Sequence, residues 1–200
     1  LPNGGMICVT GNGGSGKTIF VNELAAYFND DDFGIFPFDS LHLPVPYRRK
    51  MMEDKEIVIT GSHPGVVSKE MSQKTIKSIR DGKDVPIYKS SFIEGVVKYS
   101  IASNYKNKKY NAVDGLSALH NNLKNLYDVI IFIACGSEVE FQRRIVRDIN
   151  ERNQSMNEIK RVFDLRRKQY EEHVAPYKDG ADILIDTTDS ANLTVKFLKR

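Results

Sequence analysis

The glycine-rich run GNGGSGKT at residues 11–18 constrains this chain more than any other feature. It fits the pattern GxxxxGK(S/T) in full, from Gly11 to Thr18. Glycines allow a tight turn in which several backbone N–H groups point inward and donate to phosphate oxygens. A lysine after the last glycine suits the β- and γ-phosphates, and a hydroxyl after it suits Mg²⁺. The predicted phosphate-binding residues are Gly11, Asn12, Gly13, Gly14, Ser15, Gly16, Lys17 and Thr18.

The segments on either side of the loop support this interpretation. The apolar run at residues 6–10 predicts a buried strand that leads into the loop. Apolar residues then recur at helical spacing, at Phe20, Val21, Leu24, Tyr27 and Phe28. A strand before the loop and a helix after it are the context in which a phosphate loop works, because the helix N-terminus attracts anions.

A second pattern overlaps the loop. Gly11, Gly13 and Gly16 also satisfy GxGxxG, the dinucleotide fingerprint, and Asp39 stands near the position of the ribose-binding acid of that motif. A dinucleotide loop has no use for Lys-Thr directly after its last glycine, whereas a triphosphate loop requires both. The sequence therefore favours a nucleoside triphosphate over NAD.

Strands and helices alternate along the rest of the chain. Strands are predicted at residues 33–38, 112–115, 128–134 and 181–186. A helix is predicted at 68–80, and a hairpin is suggested at 85–110. This order predicts an α/β protein with the P-loop NTPase fold, in which helices flank a mainly parallel sheet. We expect one domain over residues 1–200.

Three further predictions concern local structure. Ser137 and Ser155 each precede a glutamate by three residues, which predicts capping boxes that open two helices. Residues 40–64 are expected to be irregular because they contain several prolines. A final helix is predicted from the apolar residues Leu193, Phe197 and Leu198.

Composition and missing motifs exclude several classes of protein. The formal net charge of +3 is too small to indicate a nucleic-acid partner. No apolar stretch approaches the roughly 18 residues of a membrane helix, and the first residues do not resemble a signal peptide. Cys8 and Cys135 lie in apolar runs without metal-binding spacing, which predicts reduced buried thiols and a cytoplasmic protein. The guanine-reading NKxD and transporter LSGGQ strings are also missing, which leaves a small kinase or an ATP-binding module.

Asp39 is the candidate base outside the loop. It follows the second predicted strand, at the end of the sheet where open α/β sheets bind ligands. A carboxylate there would accept the proton of an attacking hydroxyl, as kinases require. A turn cap explains the residue equally well.

The segment at 143–152 is rich in arginine. Its apolar stripe consists of Phe141, Ile145 and Ile149, and the arginines off that stripe are Arg143, Arg144 and Arg147. A lid that closes on transferring phosphate would carry such residues. A solvent-exposed helix face explains the segment slightly better, because it would carry two i,i+4 ion pairs, Arg147–Glu151 and Asp148–Arg152.

These pieces together resemble the uridine kinase family, within the wider group of uridine kinases and phosphoribulokinases. The resemblance covers about residues 6–187 and follows the family's order. The matching pieces are the loop, Asp39-Ser40, Ser62-His63-Pro64, Val85-Pro86-Ile87-Tyr88, Val113-Asp114-Gly115-Leu116, RRIVRDINERNQS at 143–155 and APYKDGAD at 175–182. The last two pieces are the most specific, because the loop alone occurs in many families.

The resemblance implies an ATP- and Mg²⁺-dependent kinase that phosphorylates a hydroxyl group of a small molecule. It implies that Asp39 is the base, with Lys17 and Arg144 also catalytic, and that a lid spans about residues 143–155. The implied nucleotide contacts from the lid are Arg147 and Arg152. The implied acceptor-site residues are Tyr88, Ser62, His63 and Arg144. The implied metal-site residues are Thr18 and Asp114, with Glu94 as the competing acid.

Departures from the family cluster at the positions that read a pyrimidine nucleoside. Ser62 stands where the family has an aspartate, and Ile93 and Gly95 fall where it has a histidine and an arginine. Gln154 replaces a further arginine. We therefore expect a kinase that uses uridine and cytidine poorly. A nucleotide-binding regulatory protein without transfer activity is the alternative, and the sequence leaves the acceptor and any homo-oligomer open.

Overall fold

The computed structural model describes residues 4–54, 58–151 and 154–198. The strands of these residues are β1 (Gly5–Gly11), β2 (Phe33–Pro37), β3 (Val85–Ile93), β4 (Val96–Tyr105), β5 (Tyr110–Asp114), β6 (Val129–Ala134), β7 (Ile183–Asp186) and β8 (Thr194–Phe197). The helices are α1 (Lys17–Ala25), α2 (Val45–Glu53), α3 (Lys69–Arg80), α4 (Ser137–Asn150) and α5 (Met156–His173).

A six-stranded sheet with the order β2-β5-β1-β6-β7-β8 forms the centre of the molecule. The first five strands in this order run parallel, and β8 pairs antiparallel with β7. β1 lies in the middle, where Cys8 is level with Val113 of β5 and Ile130 of β6. The α/β class with a mainly parallel sheet is thereby confirmed.

Both faces of the sheet are covered, which is why its central strands are apolar throughout. Along β1, Cys8 faces one core, together with Phe132 and the α3 residue Ile76. The alternate residue Val9 faces a second core, which it shares with Val21 of α1. The period-2 alternation of a strand therefore places α1 and α3 on opposite faces of the sheet.

Several local predictions are confirmed. Residues 85–110 contain the antiparallel β3–β4 hairpin, and Ser68 caps α3 by accepting a hydrogen bond from the Met71 N–H. Ser155 and Glu158 form a complete capping box at the start of α5. Cys8 and Cys135 are free buried thiols. None of the helices in the described part of the chain has the length and apolar character that a membrane crossing requires.

Three predictions are wrong. The predicted C-terminal helix is instead strand β8, in which Phe197 pairs with Ile183. The segment expected to be irregular contains α2, because Pro46 lies in its first turn, where the missing N–H breaks no helical bond. Ser137 is not a cap: it is the first residue of α4, and Gly136 precedes it without a side-chain cap.

Helix α4 also buries a different stripe from the apolar one predicted. Its buried residues are Glu140, Arg144 and Asp148, whereas Ile149 is 40% exposed. Each buried charge has an ion-pair partner, as charges removed from water require. The inward face of α4 is therefore polar, and it lies against the glycine loop.

Candidate active site

The glycine loop joins the end of β1 to the start of α1. Gly11 has φ +135°, and a Cβ placed on it would lie 1.8 Å from the carbonyl oxygen of Ile133. Gly16, with φ +89°, precedes α1 and offers no side-chain cap, so the N–H groups of the first helical turn remain open to a ligand. The hydroxyl of Ser15 is buried without a hydrogen-bond partner among the described residues. This cradle has the form that binds phosphate.

Lys17 is held within this loop. Its Nζ donates a 2.7 Å hydrogen bond to the carbonyl oxygen of Asn12. Burial lowers the pKa of Lys17, while the nearby carboxylates of Asp114 and Asp39 act to raise it. The ammonium group therefore lies near two carboxylates, one at the end of β5 and one in the turn that follows β2.

Thr18 and Asp114 form the predicted metal-site pair. Thr18 Oγ1 donates to Asp114 Oδ2 at 2.8 Å, and Asp114 Oδ1 is buried with no hydrogen bond from the described residues. Burial raises the pKa of Asp114, opposed by the Thr18 hydrogen bond and by Lys17. Glu94 is instead exposed at the β3–β4 turn.

These donors fit Mg²⁺. That ion is commonly held by one or two protein oxygens together with substrate phosphates and water. The described residues contain no cluster of three or more side chains that would hold a metal by themselves. An ion at Thr18 and Asp114 would thus draw its remaining ligands from nucleotide phosphates and water.

Asp39 lies in a short 3₁₀ turn, Phe38–Leu41, directly after β2. Its side chain is 67% exposed, and Oδ1 lies 3.4 Å from Nε2 of His42. Gly115 approaches it closely, since a Cβ there would lie 3.3 Å from Asp39 Oδ1 and 2.6 Å from Phe38 Cβ. The structure thus places an accessible carboxylate at the carboxyl edge of the sheet, beside the loop lysine.

Two basic side chains beside Asp39 were not found from the sequence. His42 is buried, 2.6 Å from Ser117 Oγ, and burial lowers its pKa. Arg48 of α2 donates from Nε to the carbonyl oxygen of Leu43, and burial lowers its pKa while Asp39 acts to raise it. Because α2 itself was not predicted, no sequence signal placed Arg48 at this site.

Aromatic residues on one face of the β3–β4 hairpin pack near the turn that carries Asp39. The rings of Tyr88 and Tyr99 lie 6.0 Å apart, and Tyr99 OH donates to the carbonyl oxygen of Leu41 in the turn that carries Asp39. Phe92 packs on Tyr47 of α2 with ring centroids 5.3 Å apart. Strand alternation, with Tyr88 and Phe92 four residues apart, is the signal that would have identified this face.

Ile93 does not share that face. Side chains alternate along a strand, so Ile93 points away from the side that carries Tyr88 and Phe92. It is 51% exposed at the end of β3. The resemblance aligns Ile93 with the family's base-reading histidine, but Ile93 does not lie on the face of β3 that carries Tyr88. Phe92 lies on that face.

Ser62 and His63 lie in the loop before α3. Ser62 is buried, and its carbonyl oxygen accepts a 2.9 Å hydrogen bond from His120 Nε2. His63 Nδ1 accepts from the Gly65 N–H, and its ring lies edge-on to His173 at 5.3 Å. Ser62 is thus held by His120, and His63 by a local hydrogen bond and a ring contact with His173.

Two arginines of α4, Arg143 and Arg144, contact the glycine loop. Arg143 donates to the carbonyl oxygens of Gly14 and Thr187. Arg144 packs on Gly13, because a Cβ placed there would lie 1.8 Å from Arg144 Nη2. Arg147 instead pairs with Asp148. Arg152 lies outside the residues that the structure describes.

The fold and this site define a P-loop kinase: a parallel sheet, a GxxxxGK(S/T) loop before α1, and carboxylates at the strand ends around the loop lysine. A family model described as "Phosphoribulokinase / Uridine kinase family" matches residues 6–194. The chain belongs to this family, and it is a phosphotransferase with an alcohol group as acceptor.

Individual relatives are distant. A uridine kinase of Staphylococcus aureus (strain JH9) is 24% identical over 197 residues, 96% of this chain and 92% of the relative. The phosphoribulokinase from Rhodobacter sphaeroides has a TM-score of 0.71 at 14% identity, covering all of this chain and 81% of that one. D-glycerate 3-kinase from Cryptococcus neoformans has a TM-score of 0.63 at 13% identity, covering 98% and 91%. These two structures share the fold.

Proposed function

We propose that this protein is a kinase that transfers the γ-phosphoryl group of ATP to a hydroxyl group of a small molecule, with Mg²⁺ as the metal. The observation that carries the proposal is the meeting of Lys17, the Thr18–Asp114 pair and Asp39 at one edge of the sheet. Each of these groups has a separate task in phosphoryl transfer. The whole chain, residues 1–200, would act as one kinase domain, with a lid at about 143–155.

Asp39 would act on the acceptor. Its carboxylate is accessible and close enough to Lys17 to act on its charge, so an acceptor hydroxyl bound there would face the terminal phosphate. The carboxylate would take the hydroxyl proton as the oxygen attacks. His42 Nε2 lies 3.4 Å from one carboxylate oxygen and 2.6 Å from Ser117 Oγ, and it would help to position the base.

The loop would act on the nucleotide. Its N–H groups and Lys17 would hold the β- and γ-phosphates, and the charge of Lys17 would stabilise the oxygens of the group in transfer. Mg²⁺ held by Thr18 and Asp114 would supply further positive charge at those oxygens. Arg144 and Arg147 would add charge from the lid, and Arg143 would fix α4 to the loop.

The acceptor site would differ from one built for uridine. Ser62 offers a single hydroxyl where the uridine kinase family has a carboxylate, which weakens the grip on a ribose diol. Phe92, on the face of Tyr88, has no hydrogen-bonding group for the edge of a base. Tyr88, Ser62, His63 and Arg144 remain the proposed acceptor-site residues.

The chain would work in the cytoplasm. Cys8 and Cys135 are unpaired buried thiols, which suits a reducing compartment.

A screen for acceptor-dependent ADP release tests this proposal. Purified protein with ATP and Mg²⁺ would be assayed against nucleosides, sugars, polyols and hydroxy acids. The proposal expects linear ADP release with some acceptor, and an equal amount of phosphorylated acceptor. Tight ATP binding without acceptor-dependent release across the panel would favour the regulatory alternative.

A further inference from the structure

A buried carboxylate links the glycine loop to helices α4 and α5. Glu140 of α4 is 2% exposed. Its Oε2 accepts hydrogen bonds from Asn12 Nδ2 at 2.9 Å and from Arg167 Nη1 of α5 at 3.0 Å. Its Oε1 accepts from Arg144 Nε at 2.8 Å. Three donors from three separate segments therefore converge on one carboxylate.

Asn12 fixes the loop end of this network. Its Oδ1 accepts from the backbone N–H of Cys135 at 3.0 Å, at the end of β6. Its amide nitrogen reaches Glu140. The side chain of Asn12 is thus turned away from the phosphate cradle, and it connects the loop to α4.

Arg144 is held by one edge. Its Nε donates to Glu140, and the guanidinium lies so close to Gly13 that a Cβ at position 13 would lie 1.8 Å from Nη2. Within the described ranges, the terminal nitrogens Nη1 and Nη2 donate no hydrogen bond to protein. The spacing of these terminal N–H groups matches that of two phosphate oxygens. They lie beside the glycine loop, which is predicted to bind the phosphates.

The second arginine keeps the carboxylate paired. Glu140 and Arg167 are within 3.0 Å, so Glu140 would not become an isolated buried charge if Arg144 shifted toward a ligand. The network therefore holds Arg144 through Nε and leaves its terminal nitrogens able to donate to a ligand.

We propose that Glu140 is a positioning residue. Its hydrogen bond with Arg144 Nε directs the terminal guanidinium nitrogens toward the γ-phosphate, and its hydrogen bond with Asn12 fixes their position relative to the glycine loop. This inference rests on the proposed function, because it takes the ligand to be ATP. Glu140 itself touches no substrate.

A double-mutant cycle in nucleotide binding tests the inference without any acceptor. The variants are Glu140→Gln, Arg144→Gln and the double variant, and the quantity is the ratio of dissociation constants for ADP and the non-hydrolysable analogue AMP-PNP. Loss of one charge-assisted contact to the γ-phosphate should lower this preference for AMP-PNP about tenfold. Both single variants are expected to show this tenfold lower preference for AMP-PNP. The double variant is expected to show the same preference as Arg144→Gln alone, because Glu140 acts through Arg144.

Glu171→Gln is the matched control. Glu171 pairs with Arg167 in the same ion-pair group without contacting Arg144 or the loop, so its variant should keep the ratio. Thermal unfolding of each variant establishes that it is folded. If Glu140→Gln does not fold, Glu140→Asp takes its place, since the shorter carboxylate would draw the guanidinium back from Gly13.

The other outcomes are distinct. Equal weakening of ADP and AMP-PNP by the Glu140 variant, or additive losses in the double variant, would show a purely structural role and overturn the inference. An unchanged ratio in Arg144→Gln would also overturn it, while leaving ADP release as the test of the proposed function. Failure of the unaltered protein to bind either nucleotide would overturn both.

Discussion

The hydroxyl of Thr18 donates a 2.8 Å hydrogen bond to the carboxylate of Asp114, across 96 residues of sequence. Thr18 lies in the first turn of α1 and Asp114 ends β5, which is hydrogen-bonded to β1. The parallel order of the sheet therefore brings together a hydroxyl and a carboxylate that suit Mg²⁺. The free oxygen Oδ1 of Asp114 is the group that this ion, or a water bound to it, would use.

Asp114→Asn is expected to weaken the use of Mg²⁺. The amide keeps an oxygen for the Thr18 hydrogen bond and removes the negative charge, so the fold should persist. Turnover should fall about 10–100-fold, as for other groups that support a metal ion. A titration of acceptor-dependent ADP release with Mg²⁺ measures this, with Glu94→Gln as the control. Identical Mg²⁺ curves for Asp114→Asn and the unaltered protein would exclude Asp114 from the metal site.

Lys17→Ala should abolish most turnover. The ammonium group lies within the loop and donates to the carbonyl oxygen of Asn12. Its removal takes away the positive charge that would bind the terminal phosphates. We expect ADP release to fall by about two orders of magnitude or more, with unchanged far-UV circular dichroism. Lys106→Ala, at an exposed ion pair with Asp84, provides the control. Near-normal activity in a folded Lys17→Ala variant would contradict the assignment of the phosphate loop.

Uridine and cytidine are expected to be poor acceptors. A base edge buried against Phe92 leaves polar atoms unpaired, at about 1–3 kcal/mol each. Ser62 in place of a carboxylate weakens the contact with a ribose diol as well. Two such losses correspond to roughly a hundredfold in specificity. Values of kcat/KM for uridine, cytidine and a panel of other alcohols measure the effect, and preference for uridine above every other acceptor would refute it.

Stability should fall in mild acid because of His120. This buried side chain has its pKa lowered to about 4 by burial, against about 6.5 in an unfolded chain. Between these values the unfolded chain binds a proton that the folded protein does not, so the free energy of unfolding decreases as the pH falls from about 6.5 to 4. The full shift corresponds to about 3 kcal/mol.

Urea unfolding of the unaltered protein and of His120→Gln over this pH range measures the contribution. The glutamine amide can still donate to the Ser62 carbonyl oxygen, so the variant removes the titration while keeping the hydrogen bond. We expect a shallower pH dependence in the variant. Parallel stability curves for the two proteins would mean that His120 does not titrate in this window.

The elements predicted correctly are those fixed by local sequence. The strand, loop and helix around residues 11–18 follow from neighbouring residues alone, and so does the capping box of Ser155. Asp39 could be placed at the site because parallel strands end at one edge of the sheet. Asp114 was placed there by the resemblance to the uridine kinase family.

The predictions that failed depend on distant partners. Glu140 has the spacing of a capping box, but Asn12 and Arg167 hold it in the interior, and neither is close to it in sequence. Leu193 and Phe197 have helical spacing, yet hydrogen bonds from β7 make this segment a strand. Arg48 could not be assigned because it reaches Asp39 only through the position of α2.

Asp39→Asn tests the central claim most directly. Acceptor-dependent ADP release and the affinity for AMP-PNP would be measured on the same preparation, with the acceptor found in the screen. The variant is expected to lose turnover by about two to four orders of magnitude and to keep its affinity for AMP-PNP, because the base acts on the acceptor hydroxyl and not on the triphosphate. Unchanged turnover, or loss of AMP-PNP binding together with turnover, would contradict the assignment of Asp39 as the base.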